Sequence, residues 1–155
     1  MYNTSLRIVN NPQEAEDVMQ DSFLDAFRKI QNYSGEGSFG GWLRRIVVNN
    51  SLDALRRRKD ELSLDEVRVE MPEPEDIYDK NIEYRIDEIK DAINKLSDDD
   101  RIVISLFLFE GYDHDEISQI LNISNNASRT RYSRAKKRLL RILTVHRAES
   151  IFNLN

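Results

Sequence analysis

Gly35-Glu36-Gly37-Ser38-Phe39-Gly40 matches G-x-G-x-x-G letter for letter. That is the spacing with which a strand-to-helix turn cradles a dinucleotide pyrophosphate. The chemistry needs a β-strand before the glycines, and here a helical pattern precedes them. Around the same glycines, Tyr33, Phe39 and Trp42 interleave with Arg44, Arg45 and Asn49. Aromatic faces beside guanidiniums suit unpaired bases, whose stacking supplies about 1–3 kcal/mol each. Taken by themselves, Phe39 and Trp42 are expected in the core, where large apolar rings usually lie. No Ser/His/Asp set, carboxylate pair or phosphate-cradling G-x-x-x-x-G-K is present. The two histidines are 32 residues apart and cysteine is absent, which excludes disulfides, thiolate metal sites and cysteine nucleophiles. No catalytic residue, metal or cofactor is expected.

The stronger pattern lies towards the C-terminus. A short helix from Asp113-x-x-Glu116 to Leu121, a three-residue connection Asn122-Ile123-Ser124 and a long basic helix from Asn125 have helix-turn-helix spacing. Ile117, Ile120, Leu121, Ile123, Ala127 and Tyr132 are expected to hold the two helices together. Arg129, Thr130 and Ser133 then share one face, where arginine forks onto a guanine edge and hydroxyls adapt. Arg131, Arg134, Lys136, Lys137, Arg138 and Arg141 suit phosphates. Residues 129–147 hold eight Lys/Arg and no Asp/Glu, whereas a merely solvated face mixes signs.

The elements that must position these groups are all helical. Residues 13–31 read as an amphipathic helix with Asn11 as N-cap and Pro12 at its first position, apolar at Ala15, Val18, Met19, Phe23, Ala26, Phe27 and Ile30. Tyr2–Val9 looks like the end of another helix. A further helix is expected over 41–59, closing on Arg56-Arg57-Arg58-Lys59, cations that favour its C-terminal dipole. Residues 85–96 and a segment opened by Ser97, ending at Gly111, complete the set. The 155 residues carry a net charge of −5 that is strongly segregated: +2 over 1–59, −8 over 60–84 and +1 over 85–155. An acidic chain with local basic surfaces still fits a polyanion. The expectation is an all-α chain of two small helical domains, 1–59 and 85–155, joined by an acidic linker at 60–84. The second domain is a helix-turn-helix of the winged-helix-like DNA-binding class, without a wing. No apolar run reaches bilayer length and no signal peptide opens the chain, so a cytoplasmic protein without membrane insertion is expected.

Three stretches together resemble the extracytoplasmic-function sigma factors of the bacterial sigma-70 family. Ala15-Glu16-Asp17-Val18-Met19-Gln20-Asp21-Ser22-Phe23-Leu24-Asp25-Ala26-Phe27 is similar to the family's polymerase-docking signature. Tyr33 to Ile46, with Asn49, Asp53 and Leu55-Arg56-Arg57, resembles the element that opens and reads the −10 promoter region. Leu96 to Leu143 resembles the domain that reads the −35 element. The resemblance implies a specificity subunit without enzyme activity of its own. It places Asp17, Gln20, Asp21 and Leu24 against the clamp coiled coil of core RNA polymerase, with the polymerase flap as a second contact. Tyr33, Phe39, Trp42, Arg45, Asn49 and Arg56 would meet the opened −10 strand, and Asn126, Arg129, Thr130, Arg131, Ser133, Arg134 and Lys137 the −35 duplex. The glycine loop would pocket a flipped base, and an anti-sigma factor would be a further partner. Members usually begin one helix earlier, so a shortened start is expected at Met1. The alternative that the residues leave open is an autonomous helix-turn-helix regulator whose N-terminal part dimerises.

Overall fold

The computed structural model describes residues 1–62 and 86–152, all of whose regular structure is helical. The chain divides into two compact units, Met1–Arg68 and Val69–Asn155. The acidic stretch expected as a linker lies outside the described residues except Asp60–Leu62, which are the last turn of a helix.

In the first unit α1 (Tyr2–Val9), α2 (Pro12–Lys29) and α3 (Phe39–Leu62) pack pairwise on one another. Asn10 turns the chain in the left-handed region (φ 54°), and the Asn11 side chain accepts from the Glu14 amide at 3.1 Å. Pro12 at the first position costs nothing there, because its missing N–H has no helical partner. The core joins Ile8 and Val9 to Ala15, Val18 and Ala26 and to Val47, Val48, Leu52 and Leu55. Small polar residues let the helices come close: Ser51 and Ser5 hydroxyls meet at 3.2 Å, and Ser22 donates to the Val18 carbonyl at 2.6 Å.

The inward line of α2 is therefore Ala15, Val18, Ser22 and Ala26. Phe23, Phe27 and Ile30, expected inside, are exposed at 46, 76 and 46 %. At about 100° per residue they form a separate stripe roughly a quarter-turn away from the line that α1 and α3 cover. Hydrophobic periodicity registered both stripes as one, and the close approach of neighbouring helices selected the narrower side chains.

The second unit contains α4 (Ile86–Asn94), α5 (Asp98–Ile104), α6 (His114–Leu121) and α7 (Asn125–Phe152). Ala92, Ile93, Leu96, Ile104, Ala135, Leu139 and Leu143 form one buried cluster. Ser97 caps α5, its Oγ accepting from the Asp100 amide at 3.4 Å. Arg101, only 2 % exposed, donates to the Leu96 carbonyl at 3.2 Å and to Asp98 at 2.5 Å. The apolar run then widens into a π-helical turn, Ser105–Phe109, and stops at Gly111, whose φ of +75° suits glycine.

The two capping signals of the helix-turn-helix both form. Asp113 accepts from the Glu116 amide at 2.8 Å while Glu116 accepts from the Asp113 amide at 2.9 Å. Asn122, left-handed at φ 52°, ends α6, and Ser124 accepts from the Ala127 amide at 3.1 Å to start α7. Ile117 and Ile120 are buried between the helices as expected, with Leu121, Ile123, Ala127 and Tyr132 half-buried. Helix α7 continues past the expected end near Val145.

Candidate nucleic-acid interface

The first candidate surface grows from the glycine loop. Gly35 and Gly37 both hold φ near +79°, where an L side chain is strained. The Tyr33 hydroxyl donates to the Gly37 carbonyl at 2.9 Å and pins the loop across its base. Ser38 then opens α3, its hydroxyl accepting from the Gly41 amide at 3.0 Å. The result is a triad of rings, Tyr33, Phe39 and Trp42, with all centroid separations between 5.5 and 5.7 Å.

This triad borders the core rather than filling it. Phe39 is 47 % exposed, contrary to the expectation for that ring alone, while Trp42 and Tyr33 are half-buried at the edge of the core. The inner face of α3 is already occupied by Leu43, Val47, Val48, Ser51 and Leu55, leaving the rings to pack on one another at its open end. Phe39, Trp42, Arg45, Asn49 and Arg56 fall within about a third of the helix circumference, opposite that inner face. Asn49 is exposed, Arg45 half-buried, and Arg56 is paired with Asp53 at 2.8 Å.

The second surface is the outer side of α2. Asp17, Gln20, Asp21 and Leu24 are all exposed and share one face, opposite the Ala15–Ala26 line. Asp21 and Leu24 form one wall of a groove of about 610 Å³, whose other wall is Asn50, Arg56 and Arg57 of α3. The Asn50 amide ties the two helices together, donating to Ser22 Oγ and Asp25 Oδ2 at 3.2 Å each.

The third surface is the first half of α7. Ser128, Tyr132, Ala135 and Leu139 face inward. Asn126, Arg129, Thr130, Ser133 and Arg134 are exposed and Lys137 half-buried, on the opposite side. Arg131 is exposed too but projects on the flank of this stripe. Arg138, expected to meet phosphate, instead donates to Asp100 Oδ2 at 2.6 Å, a carboxylate 8 % exposed. Its charge serves the packing of α5 on α7.

Sequence reasoning missed what orients α6 and α7. His114 Nδ1 lies 3.0 Å from the hydroxyl of fully buried Ser128, and its ring stacks on Phe107 at 4.8 Å. The Asn125 amide donates to Asp115 Oδ1 at 2.6 Å and accepts from Arg129 Nε at 2.8 Å. The four-residue step from Asn125 to Arg129 was a readable signal; the partners across the turn were not.

Two family descriptions match this chain: sigma-70 region 2 over residues 1–61 and sigma-70 region 4 over residues 86–139. The ECF RNA polymerase sigma factor SigE of Mycolicibacterium smegmatis is 33 % identical over 97 % of this chain, which spans 60 % of SigE's length. The RNA polymerase sigma-H factor of Pseudomonas aeruginosa is 31 % identical, over 85 % of this chain and 74 % of its own. The sigma factor RpoE from Bartonella quintana, solved in complex with the anti-sigma factor NepR, superposes with a TM-score of 0.66 at 25 % identity, covering 93 % of this chain and 89 % of RpoE. No described helix is long and apolar enough to cross a membrane. With both regions present in order and relatives matched across them, the chain belongs to the sigma-70 family, in its extracytoplasmic-function branch.

Proposed function

We propose that the protein binds core RNA polymerase and directs promoter-specific initiation as a non-catalytic specificity subunit. In this reading residues 1–59 dock on the polymerase and open the −10 region, residues 85–155 read the −35 element, and 60–84 connect them. Asp17, Gln20, Asp21 and Leu24 face the polymerase clamp. Tyr33, Phe39 and Trp42 stack on opened bases, with Arg45, Asn49 and Arg56 along the strand. Asn126, Arg129, Thr130 and Ser133 meet base edges, while Arg131, Arg134 and Lys137 hold phosphates. An anti-sigma factor that covers these surfaces is a further partner, by analogy with RpoE.

The observation that carries the reading is the ring triad, with Phe39 exposed and Tyr33 and Trp42 half-buried, beside a pinned glycine loop. A ring with nearly half its surface in solvent, backed by two neighbours, offers a face on which an unpaired base can stack. The test is reconstitution of the full chain with purified core polymerase. Expected are direct association and initiation from a subset of promoters in a random library, both lost with Asp17→Lys and Asp21→Lys together. Sequence-specific duplex binding without core association would instead identify an autonomous regulator.

A further inference from the structure

In the proposed reading of α7 Arg129 meets a base edge, and an exposed arginine ordinarily samples many rotamers. Here its Nε is held by Asn125 Oδ1 at 2.8 Å. Asn125 is held in turn by α6, its Nδ2 donating to Asp115 Oδ1 at 2.6 Å. Asp115 is a pure acceptor when ionised, so it turns the NH₂ of the amide towards itself and the oxygen towards Arg129. Three residues on two helices thus share one hydrogen-bonded line.

Stability does not account for this line. Exposed polar pairs contribute little to folding, and the start of α7 is already capped by Ser124. What the line does is occupy Nε, so that the guanidinium presents Nη1 and Nη2 end-on. Guanine O6 and N7 accept such a fork, and a fork already oriented loses less rotamer freedom on binding.

We infer that Asn125, anchored by Asp115, is a positioning residue that presents Arg129 end-on to a guanine of the −35 duplex. The inference rests on the proposed reading of α7 as the −35 helix. The experiment uses holoenzyme reconstituted from the full chain and core polymerase, with promoter duplexes randomised across the −35 segment, and reads guanine enrichment at each position. Arg129→Ala should abolish enrichment at one position. Asn125→Ala and Asp115→Ala should each lower that same enrichment about three- to tenfold, part of what one bidentate arginine–guanine contact supplies, leaving other positions unchanged. Asp115→Asn combined with Asn125→Asp should restore it, because the amide then donates to the carboxylate, which still accepts from Arg129 Nε. A purely structural role would lower binding to all sequences alike.

Wild-type enrichment in Asn125→Ala, alongside its loss in Arg129→Ala, would overturn the inference and leave the −35 reading standing. An Arg129→Ala profile like wild type would sink both. Should Asn125→Ala not fold, Asn125→Asp alone, whose carboxylate has no proton to donate to Asp115, against the exchanged pair decides the matter: loss in the single variant with recovery in the pair supports the positioning role, and its absence refutes it.

Discussion

Arg138 Nη1 and Asp100 Oδ2 lie 2.6 Å apart, joining α7 to the first turn of α5 across 38 residues of sequence. Asp100 is nearly buried, so this donor satisfies a carboxylate that solvent scarcely reaches. Arg138→Ala should cost about 1.5–3 kcal/mol, the range for hydrogen bonds to charged groups. Urea unfolding followed by circular dichroism measures it, and the folded variant should keep wild-type sequence preference. A stable Arg138→Ala with uniformly weakened DNA binding would return Arg138 to the phosphate-binding set.

Phe39→Ala should leave stability within about 1 kcal/mol, since half the ring is already in solvent. Binding of holoenzyme to a single-stranded −10 oligonucleotide should fall by the worth of one stacked base, about 1–3 kcal/mol. Tyr33→Phe keeps the ring and removes only the bond to the Gly37 carbonyl, so its loss should be smaller, about 1 kcal/mol. Fluorescence anisotropy ranks the two variants, and the reverse ranking would speak against a stacking platform.

Arg129→Ala and Lys137→Ala should differ in kind. The first should relax discrimination at one −35 position by about 1–3 kcal/mol. The second should weaken all duplexes alike and reduce the slope of log affinity against log salt by about one. Titrations at several salt concentrations separate them, and equal, sequence-blind losses would count against both roles.

Arg58 and Arg57 are neighbours with unlike tasks. Arg58 donates to the Val9 carbonyl at 3.1 Å and to the Glu14 carboxylate at 3.1 and 3.2 Å, tying all three helices of the first unit. Arg58→Met should cost about 1–2 kcal/mol, whereas exposed Arg57→Met should stay within about 0.5 kcal/mol. Urea midpoints of the two variants give the comparison directly.

Much of this molecule was readable from its order of residues, for a physical reason. Helix starts and stops depend on contacts three or four residues apart, so Asn11-Pro12, Ser97, the Asp113–Glu116 box and Gly111 marked real boundaries. The cations of residues 129–147, unmixed with acids, and the spacing of Asp17, Gln20, Asp21 and Leu24 likewise showed which residues share a face. What the chain order left open was which face turns inward and which distant group answers each charge. Phe23 and Phe27 had the same helical period as Ala15 and Val18, and only the approach of α1 and α3 separated the exposed stripe from the buried one. Arg138 was indistinguishable from its basic neighbours until α5 brought Asp100 to it. Local rules determine the elements; partners far apart in sequence acquire their roles only when packing brings them together.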